Sequence, residues 1–402
     1  MNARKTASKE GKRVLVASSL NAGAESMSPV ARNLRDDGHN VRVISYRAAT
    51  ESFRNMGIEP DRVMERLRQK DIRRELRSFS PDSLLTGTQV QDDDHPLTFE
   101  QMLWSSARSL EIPSVAVLDT RSNIIQRFSD MDPDEDGRMR VLNDKRLIHL
   151  PTRIAVLDKT HRLELMEMGF PAKLLVATGN PYYEHVGKKA GELPDSIRSD
   201  LLSKPVFSGF DPEGKLVVFF SDSIEKFYPD IGFSEKSVLQ SFMRVLDEVA
   251  NETGMPVNLI VRPHPFRNEN ASEAFDFETP GLAKVLHNPI SARGNDPKNE
   301  YGMEALINSA NFIVGTFNNP LETGAVMGAT VISYVPDMAP QYGFQQYLVD
   351  QGSATRTKSE SDLQHILTEA LKGMLVQNQM EAASGAIKKV SELVLNPTIR
   401  NI

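Results

Sequence analysis

Two loops of this chain concentrate residues that could work on an anionic, hydroxyl-bearing ligand. The first, Arg262-Pro263-His264-Pro265-Phe266-Arg267, follows the apolar run 257–261. Prolines on both sides restrict the backbone at His264, so its imidazole can be aimed at a phosphate oxygen, and Arg262 and Arg267 can add charge-assisted bonds. The plainer alternative is a loop histidine satisfied by backbone groups. The second loop is 315–322, GTFNNPLE. Thr316, Asn318 and Asn319 offer hydroxyl, amide and backbone N–H groups that suit a phosphate, or simply close a turn. Asn319 reads as a helix N-cap with Pro320 at the first helical position, which presents unpaired N–H groups to an anion. Glu322, three residues after Asn319, is then placed to return a capping-box bond.

Fainter signals lie earlier. Gly23, in the loop after the apolar run 13–19, suits a mononucleotide-type strand, loop and helix in which Ser28-Pro29 starts the helix; one glycine is not a GxGxxG fingerprint. Asp119 closes the run 114–118 and brings a carboxylate to a strand end, where it can equally be a turn or cap residue. Asp92-Asp93-Asp94 contains the DxD spacing of a divalent-metal site but lacks companion ligands, so a solvated acidic loop is the better reading. The eight histidines show no metal-ligand pairing, and no metal is expected.

The elements that must position these residues alternate along the chain. Apolar runs at 13–19, 40–46, 83–87, 114–118, 152–157 and 173–177 read as buried parallel strands with helices between them. A second set follows at 215–221, 257–261, 312–314 and 330–334. This order specifies an α/β fold with doubly wound parallel sheets, whose ligands sit beyond the carboxyl ends of the strands. One helix is expected over 61–79, where interleaved Arg, Lys, Asp and Glu read as a solvated face. The acidic stretch 130–137 reads as a surface insertion or a lid. The expected division is a tail at 1–11, a Rossmann-like domain at 12–180, a second at 181–375 and a C-terminal helix at 376–402.

Composition fits this organisation. A chain of 402 residues, 40% hydrophobic and 25% charged, is long enough for two domains with separate cores. The net charge of −7 argues against nucleic acid, because a phosphate backbone selects a basic surface. Without cysteine, disulfides and thiolate metal sites are excluded and a reducing cytoplasm is expected. No run approaches the roughly 20 apolar residues of a membrane span, and residues 1–11 lack the apolar centre of a signal peptide.

Several features together resemble the GT-B superfamily, from about residue 13 to about residue 375. They are the two Rossmann-like halves, Thr178-Gly179-Asn180-Pro181 at their connection, Arg262-Pro263-His264-Pro265 after a strand, and Glu322 with Gly324 and Gly328 in the last strand-turn-helix. Within that superfamily the likeness is to capsule-type glycosyltransferases and CDP-glycerol transferases, and to UDP-N-acetylglucosamine 2-epimerases. The resemblance implies a nucleotide-sugar donor held by the C-terminal half, with Glu322 on the ribose, and an acceptor in the N-terminal half, with Asp119 as general base. It also implies a cleft lined by Asn21, Gly87, Asp119, His264 and Asn318, and no cofactor besides the nucleotide sugar. The expected activity is a glycosyltransferase of surface polysaccharide or glycoconjugate synthesis. Epimerase-like isomerisation or hydrolysis, and nucleotide-sugar binding without turnover, are the alternatives; a homodimer is compatible with each.

Two departures separate the chain from the epimerase pattern. Phe317-Asn318-Asn319-Pro320 stands where that pattern has a glycine pair, and Val117-Leu118-Asp119-Thr120 where it has a histidine-acid-glycine run.

Overall fold

Val14, Leu15, Val16 and Ala17 are all fully buried, which successive strand residues achieve only where both faces of the sheet are covered. The computed structural model describes residues 11–91, 97–133, 139–141, 143–227, 230–263, 281–282, 284–287, 303–336 and 346–397. The chain divides into two units, Met1–His185 with Ala382–Ile402, and Val186–Glu381. Both have the α/β architecture that the alternating apolar runs specify.

The first unit contains β1 (Arg13–Ser18), α1 (Asn21–Asp36), β2 (Asn40–Tyr46), α2 (Ala49–Asn55), β3 (Arg62–Met64), α3 (Gln69–Phe79), β4 (Ser83–Thr86) and α4 (Phe99–Ser109). It continues with β5 (Ser114–Val117), α5 (Ile124–Arg127), β6 (Met131–Pro133), β7 (Met139–Val141), β8 (Arg153–Val156), α6 (Lys159–Glu167) and β9 (Leu175–Ala177). The division between the units falls within α7 (Pro181–Ala190). Seven strands form a parallel sheet in the order β3-β2-β1-β4-β5-β8-β9. One face packs Leu15, Ala17 and Leu84 with Phe99, Trp104 and Phe128.

The second unit contains α8 (Ile197–Leu202), β10 (Lys215–Phe220), α9 (Ile224–Phe227), α10 (Glu235–Thr253), β11 (Val257–Arg262), β12 (Lys284–His287) and α11 (Met303–Ser309). Then come β13 (Phe312–Gly315), α12 (Asn319–Met327), β14 (Val331–Tyr334), α13 (Gln346–Asp350), β15 (Thr355–Thr357) and α14 (Glu360–Leu371). Its six strands are parallel in the order β12-β11-β10-β13-β14-β15. Both sheets therefore reverse their winding beside their first strand, between β1 and β4 and between β10 and β13. Such a switch point opens a crevice beyond the strand ends. The last helix, α15 (Ala386–Leu395), belongs to the first unit. Its Val390 and Val394 cover the other sheet face with Val14, Val16 and Met27, and the Glu184 carboxylate accepts the Ile387 N–H at its N-terminus. No described helix is long and apolar enough to cross a membrane.

Local expectations fail in three places within these elements. The helix expected over 61–79 is an edge strand followed by the shorter α3. The Asp61 carboxylate accepts the Val43 N–H at 2.7 Å, so the chain enters beside β2 extended, and the helix waits until Gln69. Its charges are not all solvated, since Asp71 and Glu75 are buried. Glu75 is held by Arg42 at 2.9 Å and Arg62 at 2.5 Å. Helix α1 starts at Asn21, seven residues before the expected Ser28-Pro29, and carries Pro29 inside it. The acidic insertion 130–137 begins with one strand of the antiparallel pair β6–β7.

Candidate functional site

In the second unit, residues remote in sequence converge at the switch point. β10 and β13 lie side by side with Phe220 opposite Gly315. Two residues beyond Phe220 is Asp222, nine-tenths buried. One carboxylate oxygen, Oδ2, gathers donors from the loop after β13: the Thr316 hydroxyl, the Phe317 N–H at 3.3 Å and the Asn318 side-chain amide at 3.3 Å. The Asn318 amide also donates to the Phe220 carbonyl at 2.8 Å, and the Ser333 hydroxyl fixes the Thr316 carbonyl at 2.6 Å. The loop is thus tied to β10 and β14. Burial pushes the Asp222 carboxyl up to about 7, nearby Glu235 adds to the rise, and the Phe317 and Asn318 donors oppose it.

Helix α12 opens from this loop. Its N-cap is Asn318, not the expected Asn319, because Asn318 has the extended backbone of a cap (φ −89°, ψ 162°) and Pro320 follows one position later than expected. Asn319 is the first helical residue and is exposed. This shift moves Glu322 to the fourth helical position, beyond the third position that a capping box requires. Glu322 is buried all the same. Gly324 lets the helix lie against β13, since a Cβ there would fall 2.2 Å from Ile313 Cδ1. Arg262 ends β11, and its carbonyl accepts the Ser221 N–H at 2.9 Å. His264, Arg267 and the acidic run Asp92-Asp93-Asp94 lie outside the described residues.

The switch point of the first unit holds a second polar group. Gly23 lies in the first turn of α1 and packs against Gly87 after β4. Beside them Ser19 donates its N–H to Glu100 Oε1 at 2.9 Å, and its hydroxyl contacts both carboxylate oxygens at 2.8 and 2.9 Å and Gln89 Oε1. One hydroxyl proton cannot serve two acceptors. Either a protonated Glu100 donating to Ser19, or a Gln89 side-chain amide turned so that its N–H donates to Ser19, satisfies the count. Burial raises the Glu100 carboxyl in the sense of the first. Asp119 is buried after β5. Arg127 reaches it at 3.4 Å and the Thr88 carbonyl and hydroxyl at 2.9 Å, which fixes the carboxylate's orientation.

Asp222, Glu100, Ser19 and Arg127 were not among the residues picked from the sequence. Asp222 carried a usable signal, because Ser221-Asp222-Ser223 ends an apolar strand just as Asp119 does. Glu100 carried none, sitting one residue before Gln101 of the Thr98–Gln101 capping box, in the first turn of α4.

No protein-family model matches the chain, and no curated protein matches it. Solved structures do. UDP-GlcNAc 2-epimerase from Neisseria meningitidis, bound to UDP-GlcNAc, superposes with TM-score 0.66 at 13% identity, covering 95% of this chain and 99% of that one. UDP-GlcNAc 2-epimerase from Methanocaldococcus jannaschii gives TM-score 0.66 at 13% identity, covering 96% and 100%. The chain has a GT-B-type fold. MurG from Acinetobacter baumannii shares it less closely, with TM-score 0.51 at 13% identity over 96% of this chain and 99% of that one. Within this fold, the loop between β13 and α12 reaches the switch point without a glycine pair, using Asn318 to bridge the strand ends instead.

Proposed function

We propose that this protein is an enzyme acting on a nucleotide-activated sugar, held at the switch point of the second unit. The observation that carries this reading is the convergence of Asp222, Thr316, the Phe317 N–H and Asn318 between β10 and β13, at the N-terminus of α12. Helix N-termini at such crevices suit phosphate groups. The phosphates would meet Thr316, Asn318 and Asn319, with Arg262 and His264 supplying charge, and buried Glu322 would take the ribose hydroxyls. Gly23, packed on Gly87, would let the first turn of α1 shape the ligand side of the switch point in the first unit. The GT-B-type fold shared end to end with UDP-GlcNAc 2-epimerases supports a UDP-sugar as the ligand and 2-epimerisation or hydrolysis as the reaction.

Transfer of the sugar to an acceptor hydroxyl is the second reading. It is favoured by the departures from the epimerase pattern at Asp119 and at Phe317-Asn318-Asn319-Pro320, and by the likeness to MurG. In that reaction Asp119, oriented by Arg127, would take the acceptor proton. One experiment separates the two. The protein is screened against UDP-, GDP-, CMP-, CDP- and dTDP-sugars by thermal shift, and the best ligand is then incubated in D2O without acceptor and followed by NMR. Deuterium at C2, an epimer or free sugar supports the first reading. An intact donor that is consumed only when an acceptor mixture is added supports the second. Absence of binding across the panel removes both.

A further inference from the structure

Resting on the nucleotide-sugar reading, we propose that Asp222 is the acid that protonates the departing nucleotide oxygen when the sugar C1–O bond breaks. The geometry divides the carboxyl into two unlike oxygens. Oδ2 accepts all three loop donors, from Thr316, Phe317 and Asn318. Oδ1 accepts no hydrogen bond from the described residues. A proton on this carboxyl therefore belongs on Oδ1, the oxygen to which no described group donates. The charges around it favour that proton. Among the described residues the charged side chain acting on Asp222 is Glu235 at the start of α10; the loop after β13 contributes neutral donors; and Arg262 is the cation at the end of neighbouring β11.

An ionised carboxylate here would face a nucleotide diphosphate with like charge and, among the described residues, no ion pair of its own, at a cost in a buried site. A protonated one does the reverse: it donates a hydrogen bond to the bound phosphate oxygen and, as the bond breaks, gives up the proton. In that step the C1–O electron pair leaves with the phosphate oxygen, and the proton passes from Oδ1 to the same oxygen. The electron-poor sugar carbon is quenched by water, by an acceptor hydroxyl or by its own C2–H electron pair, and the proton released from that O–H or C–H bond passes to solvent. Asp222 ends as a carboxylate and regains its proton from solvent. The step is common to hydrolysis, epimerisation and transfer, so it does not depend on which follows.

The test uses the full chain, its Asp222→Asn and Asp222→Glu variants, and the nucleotide sugar that the panel shows to be bound and consumed. Calorimetry with that nucleotide diphosphate checks the reading alone: a parent protein that binds none of the panel overturns the reading and the inference with it. For the acid role, the expected result is a parent kcat that falls as pH rises through about 7. Asp222→Asn should lower kcat by about 10²–10⁴-fold and lose that limb while binding the nucleotide diphosphate within about threefold at pH 7. Asp222→Glu should recover part of kcat. The infrared carboxylic-acid carbonyl band in the parent-minus-Asn difference spectrum should be present at pH 6 and absent at pH 9, a readout independent of turnover. An Asn variant that folds and turns over within threefold of the parent overturns the acid role, as does a difference spectrum without that band at pH 6.

Discussion

Gly23 and Gly87 meet backbone to backbone at the switch point of the first sheet, where a Cβ on Gly87 would stand 3.0 Å from the Gly23 Cα. The contact joins the first turn of α1 to the end of β4, so a methyl group on Gly87 would have to push the α1 backbone back by a few tenths of an ångström. The Ser18 hydroxyl, 3.1 Å from the same point, can rotate away, but the Gly23 backbone cannot.

Gly87→Ala should therefore destabilise the first unit by about 1–3 kcal/mol, the usual cost of overpacking. The check is urea unfolding followed by the fluorescence of Trp104, which lies in that unit's core. An unchanged midpoint would mean that α1 slides without penalty. Gly23→Ala should cost less, because its closest contact is the Ser18 hydroxyl, 2.5 Å from the added carbon, and a serine side chain can rotate.

The sheets were legible in the sequence for the reason that makes them stable. A parallel strand buried on both faces reads as an unbroken apolar run, and the runs beginning at Val14 and Phe312 stand out at once. Edge strands give no such signal: Arg62-Val63-Met64 is short and charged, and it is a strand through its pairing with β2, which the Asp61 bond to Val43 leads into. The site was half legible. Thr316 and Asn318 sit in a loop that advertises itself through Asn-Asn-Pro, whereas their partner Asp222 is 94 residues away from Thr316. Adjacency of β10 and β13 is a fact of topology, and no local pattern encodes it.

Arg127 is the residue on which the Asp119 site depends. Its guanidinium is almost buried and serves both the Thr88 backbone and the Asp119 carboxylate. Arg127→Met removes the cation and leaves a buried carboxylate unpaired, a change that typically costs about 3–5 kcal/mol. Asp119→Asn keeps the shape, and its cost should be smaller. Chemical denaturation of the two variants compares them directly. Equal losses would mean that Arg127 acts mainly through Thr88.

The two units should respond to pH in opposite senses. Asp222 in the second unit holds its proton to about pH 7 instead of 3.8. Its contribution is fully present below the unfolded value and is lost as pH rises through about 7. His161 in the first unit is buried, and burial with nearby Arg121 lowers its folded pKa from 6.5 to about 4. Its contribution is present above 6.5 and is lost as pH falls through about 4. Each amounts to a few kcal/mol at most, since a tenfold change in proton affinity on folding is worth about 1.4 kcal/mol. Comparing parent with Asp222→Asn and His161→Leu between pH 4 and 8 should flatten one slope in each case. A parent-like pH dependence in either variant would show that the residue named is not its source.

Glu322 gives the sharpest division between structure and binding. With the cap at Asn318, a capping box would need its acid at Leu321, so Glu322 cannot owe its place to that motif. It is nonetheless a buried acid in the first turns of α12, beside the loop proposed to hold phosphate. Glu322→Gln keeps the volume and the hydrogen-bonding capacity but removes the charge. If the carboxylate takes the ribose hydroxyls, the variant should melt close to the parent. It should lose a charged hydrogen bond worth about 1.5–3 kcal/mol, or about 10–150-fold in affinity for the nucleotide. Calorimetry with the nucleoside diphosphate and with inorganic diphosphate tells the two ends of the ligand apart: the first should weaken and the second should not. Equal binding of the nucleotide by parent and variant would leave Glu322 as a buried structural acid and move the ribose contact elsewhere.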